Sequence, residues 1–73
     1  MLKQMTKEQM TTYIIDMANY CTNGKLWTEQ EKKERIRFIV NHNTKEEIEQ
    51  KYNEVVKDNL VSTAYYSYKY LIH

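Results

Sequence analysis

Residues 28–47, TEQEKKERIRFIVNHNTKEE, begin and end on the same device: Thr28-Glu29-Gln30-Glu31 and Thr44-Lys45-Glu46-Glu47. In each, a threonine is followed three places on by glutamate. This is the capping-box pattern, in which the Thr hydroxyl accepts from the backbone N–H three residues ahead and the acidic side chain reaches back to the threonine's own N–H. The stretch therefore reads as a whole helix over about 28–41, a turn at Asn41-His42-Asn43, and the start of another helix. A third copy lies upstream at Thr6-Lys7-Glu8-Gln9. Three specified starts predict three helices, and the fold class is all-α.

Helix periodicity supports each start. Over 6–23, Met10, Tyr13, Ile14, Met17, Ala18 and Cys21 share one broad stripe at 100° steps, the pattern of a core-facing helix. Met5 and Met10 are spaced for a hydrophobic staple, and Gly24 stands where a left-handed cap would end the helix. Over 28–41 the stripe is narrow, Ile36, Ile39 and Val40, with Phe38 opposite. The short turn that follows predicts that the second and third helices are antiparallel or crossed neighbours.

No Gly or Pro interrupts residues 45–72, so the third helix is expected to be long, about 42 Å if continuous at 1.5 Å per residue. Its apolar phase nevertheless changes. Ile48, Tyr52, Val55 and Val56 share one face, whereas Leu60, Val61, Ala64, Tyr65, Tyr68, Leu71 and Ile72 gather on nearly the opposite one. The slip falls at Lys57-Asp58-Asn59, where Asp and Asn side chains compete for backbone hydrogen bonds. Two readings stay open: a kink near Asp58-Asn59, or a straight helix whose far half meets another molecule. The alternation of Tyr66, Tyr68, Tyr70 and Ile72 also suits a strand, but one without a ladder partner in this chain, and helix is the preferred reading.

At 73 residues the chain reads as a single helical domain, 1–73, near the size at which one hydrophobic core is barely sufficient. A lone cysteine cannot close an internal disulfide, and no Cys/His grouping resembles a zinc site. Oligomerisation, a homodimer being the simplest case, or a protein partner is then the remaining source of buried surface. A formal charge of +1 from 11 basic and 10 acidic side chains creates no global field toward nucleic acid or anionic lipid. No apolar run approaches the roughly 18 residues of a membrane span and no signal-peptide core is evident, so the expectation is a cytoplasmic protein that engages no membrane. Nine lysines to two arginines, with abundant Asn, Ile and Tyr, suggest an AT-rich genome, a context that suits a small regulator or inhibitor from a phage or mobile element.

Catalytic chemistry has few places to reside. The histidines are His42 in a turn and His73 at the end; Cys21 lies on an apolar stripe, where it reads as a small buried hydrophobe. The glutamates crowd into first helical turns, where the helix dipole favours negative charge. A single glycine allows no phosphate loop. The expectation is no enzyme, no metal and no cofactor.

Two surfaces are candidates for binding. The first is residues 60–72, with four tyrosines, five aliphatic residues and one charge, Lys69. Leu60, Ala64, Tyr68 and Leu71 are expected to complete the core. Tyr65, Tyr66, Tyr70 and Ile72 point in too many directions for one small core to cover, and with Val61 and the polar tip of Tyr68 they make the candidate protein-binding set; tyrosine gives large contact area at low entropic cost. Ile15 and Phe38, off their stripes, could extend it. The alternative is a helix-turn-helix DNA-binding regulator over 28–52 with Lys32, Lys33, Arg35 and Arg37 as phosphate contacts. Glu46, Glu47, Glu49 and Glu54 on the would-be recognition helix oppose that reading.

Overall fold

The computed structural model describes residues 5–20 and 26–73, and within them all three capping boxes are closed. In α1 (Lys7–Ala18), Gln9 N–H donates to Thr6 Oγ1 at 3.1 Å and Thr6 N–H to Gln9 Oε1 at 2.9 Å. The same reciprocal pair opens α2 (Glu29–His42), through Thr28 and Glu31, and α3 (Lys45–Asp58), through Thr44 and Glu47. Met5 packs against the core below the first cap, and Met10 is buried.

The expected long third helix is two helices. Asn59 takes a left-handed conformation, φ 53° and ψ 39°, and its N–H closes the end of α3 on the Val55 carbonyl at 2.8 Å. Leu60 is extended, and α4 (Val61–Leu71) then runs in a new direction without a side-chain cap. The physical reason is the residue type: Asn tolerates the left-handed region better than other residues bearing a Cβ, so it can end a helix where glycine is lacking. The break resolves the phase slip, since each half presents its own stripe to the same core: Ile48 and Val55 from α3, Ala64, Tyr68 and Leu71 from α4. The fold is thus an all-α bundle of four helices, with no strand among the described residues.

At the centre lies α1, which packs against each of the other three helices and most extensively against α4; α3 also packs on α4. Helices α2 and α3, expected as neighbours, are not a principal packing pair, because both lean on α1 instead. Contact on several sides gives α1 a wide buried arc, Met10, Thr11, Ile14, Ile15 and Ala18. Ile15, expected at the surface, is therefore fully buried. Tyr13, expected in the core, lies at its margin with its ring edge-on to Tyr52 at 5.3 Å. Leu60 is 55% exposed instead of buried, because it begins α4 from an extended residue. Val56 is also exposed, just outside the α3 stripe.

The end of α1 differs from expectation too. Asn19 caps it and is nearly fully buried; its Oδ1 accepts from Trp27 N–H at 2.8 Å and its carbonyl from Leu26 N–H at 3.1 Å. These bonds hold the approach to α2 against the end of α1. The expected cap at Gly24 and the stripe position of Cys21 lie outside the described residues. At the other end of α2, Asn43 Nδ2 donates to the carbonyls of Ile39, at 3.0 Å, and Leu71, at 2.7 Å, tying α2 to the last turn of α4.

A candidate protein interface on the outer face of the last helix

Because α4 buries Ala64, Ser67, Tyr68 and Leu71, the residues between them are forced outward. Ser67 is small enough to let the helix sit close to the core. Tyr66 and Tyr70, one helical turn apart, are 70% and 58% exposed. They line one side of a shallow groove of about 330 Å³ with Thr63 and Ser67, and Lys51 and Glu54 of α3 form the other side. The Lys51 ammonium lies 4.1 Å from the centre of the Tyr70 ring, a cation–π contact, and 3.6 Å from Glu54. Thr63 donates to Asp58 Oδ2 at 3.0 Å across the helix break, which fixes the entry of α4 beside α3.

The candidate protein-binding set is distributed over three environments. Tyr66 and Tyr70 face outward. Val61, Tyr65 and Ile72 are half-buried; Tyr65 stands 6.1 Å from Tyr68 and 6.3 Å from Tyr66, ring to ring, with Lys69 over its face at 5.5 Å. Tyr68 is in the core, its ring edge-on to Trp27 at 4.8 Å, and so cannot offer a free ring face to a partner. Ile72 and the margin of Tyr68 instead border a second groove of about 310 Å³, with Glu34, Arg35 and Phe38. There the exposed Phe38 stacks on His42 at 4.0 Å, and His42 Nδ1 is 2.8 Å from the Phe38 carbonyl.

The four basic residues of α2 also divide. Lys32 reaches Asp16 on α1 at 2.8 Å and Glu29 at 3.4 Å. Its hydrogen bond to Asp16 holds the ammonium above the ordinary 10.5, partial burial opposing the rise. Arg35 donates through Nε to the Tyr68 hydroxyl at 3.2 Å and through Nη1 to the Glu31 carbonyl at 3.2 Å, with its guanidinium 5.1 Å from the Trp27 ring centre. Two of the four are thus engaged in holding helices together. Lys33 and Arg37 remain exposed.

The Trp27–Arg35–Tyr68 cluster, joining three parts of the chain, and the buried Asn19 went unread in the sequence. Both depend on residues that do not adjoin in the chain, and no local pattern marked them. Among the described residues, no group of three or more His, Cys, Asp or Glu is placed to hold a metal ion, and no helix is long and apolar enough to cross a membrane.

Fold and surface together define a small helical bundle with two tyrosines exposed on the outer face of its last helix. No protein-family model matches the chain, and no curated protein or solved structure matches it significantly.

Proposed function

We propose that this protein is a non-enzymatic interaction module, of the kind that serves as a small regulator or inhibitor, and that it docks a protein partner through the outer face of α4. One observation carries the reading: Tyr66 and Tyr70 project from a helix whose opposite side is already fully used by the core. Two neighbouring exposed tyrosines supply roughly the area of an interface anchor, with hydroxyls that remain hydrogen-bonded at the rim. Lys51 holds one of the rings in place before any partner arrives, which lowers the entropy cost of docking. A second copy of the chain is the simplest partner.

Sedimentation velocity at micromolar concentration, with the wild type and a Tyr66→Ala/Tyr70→Ala variant, tests this. The expected result is a concentration-dependent dimer that the variant loses while its unfolding midpoint stays unchanged, or, for a monomer, a partner from cell extract captured by the wild type alone. A monomer whose captured proteins are the same with and without the tyrosines refutes it.

A further inference from the structure

A second surface, sharing no residue with the tyrosine face, lies between α1 and α2. Lys33, Ile36, Arg37, Val40 and Asn41 line one wall of a groove of about 440 Å³, and Glu8 of α1 lines the other. Lys33 and Arg37 are one helical turn apart, both exposed, and neither makes a hydrogen bond or ion pair with a described residue. Like charges at this spacing repel. The adjacent cations on α2, Lys32 and Arg35, are each satisfied internally, so the α2 cations unpaired among the described residues are those that border the groove. Ile36 and Val40 are half-buried in its floor.

The geometry points to this groove as a docking site for an acidic amphipathic helix from a protein partner. Such a helix places carboxylates at the same one-turn spacing as Lys33 and Arg37, where Arg37 can take one of them bidentately. Its apolar stripe covers Ile36 and Val40 in the helix-in-groove manner. Glu8, on the far wall, accepts a lysine or amide from the partner's flank and sets its orientation. A nucleic-acid backbone fits less well: among the lining residues it meets two cations, places phosphates near Glu8, and leaves Ile36 and Val40 uncovered.

The test uses the full chain and a fluorescein-labelled synthetic peptide of about 18 residues, long enough to form a helix, with a leucine stripe flanked by Glu pairs at one-turn spacing. Fluorescence anisotropy is measured against this peptide, its Glu→Gln counterpart and a labelled DNA duplex, and amide NMR shifts locate the contact. The expected result is saturable binding of the acidic peptide, with shifts at Glu8 and along residues 33–41. Lys33→Glu/Arg37→Glu should weaken it at least about tenfold with an unchanged far-UV circular dichroism spectrum, and Tyr66→Ala/Tyr70→Ala should leave it intact. No binding at millimolar peptide overturns the proposal. So does equal binding of the Gln peptide, indifference to the charge reversal, shifts confined to other surfaces, or binding of the duplex in place of the peptide.

Discussion

Replacing Asn59 by alanine and by glycine distinguishes a broken third helix from a continuous one by the sign of the effect. In this fold Asn59 sits at φ 53°, ψ 39° and closes α3 through its N–H. A residue with a Cβ pays about 1–2 kcal/mol in this region, and Asn already bears part of that cost. Alanine, with no polar side chain to compensate, should destabilise the protein by about 1 kcal/mol. Glycine enters the left-handed region freely but loses more entropy on folding, so its net effect should stay within about 0.5 kcal/mol of the wild type. A helix running straight through residue 59 orders the variants oppositely: alanine becomes the best residue, about 0.7 kcal/mol above asparagine, and glycine the worst. The two structures therefore differ by about 2 kcal/mol in the alanine–glycine comparison. Urea unfolding followed by far-UV circular dichroism resolves this, since at an m-value of about 1 kcal/mol/M the two midpoints separate by about 1 M. Thermal midpoints move by about 4–8 °C per kcal/mol for a domain of this size. An Asn59→Ala protein more stable than wild type would refute the reasoning and restore the long helix.

Two further predictions concern polar groups in and around the core. Thr11 Oγ1 is fully buried with no hydrogen-bond partner among the described residues, so Thr11→Val, which keeps the shape and removes the hydroxyl, should stabilise by about 1 kcal/mol; a loss of stability in urea unfolding would show that the hydroxyl is satisfied after all. The Lys32–Asp16 bridge joins α2 to α1 with Lys32 largely covered and Asp16 half exposed, so Asp16→Asn should cost no more than about 1 kcal/mol at neutral pH. Because folding raises the Lys32 pKa, this contribution is fully present below the ordinary value of 10.5 and fades as pH rises through the higher folded value. The stability gap between wild type and Asp16→Asn should accordingly close above pH 10.5, and a gap that widens there would contradict the assignment.

The helix starts could be read from the sequence because a capping box spans four consecutive residues and needs no tertiary partner. The fourth helix could not, because α4 begins at Leu60 without a side-chain cap, and the signal at its entrance was only the change of apolar phase across Asp58-Asn59. The tyrosine-rich segment was visible as a composition, and with it Tyr66 and Tyr70 as candidates. Helical spacing also set Tyr68, expected in the core, apart from Tyr66 and Tyr70; what it could not show is that Tyr68 is held there by Trp27 and Arg35, partners far away in the chain. The basic residues of α2 behaved likewise: four in one short stretch, divided by distant partners at Asp16 and Tyr68 into two that hold the bundle and two that face outward.

By itself, the sequence determined the all-α class, three of the four helix starts and the place where the last apolar face turns over. Each rests on contacts within about one helical turn. Tertiary structure alone decided that the turnover is a helix break at a left-handed Asn59, that α1 lies at the centre with Ile15 buried, and that Lys32 and Arg35 hold the bundle while Lys33 and Arg37 stay exposed. Those outcomes depend on which helices share a core, and burial is a property of the packed set of helices.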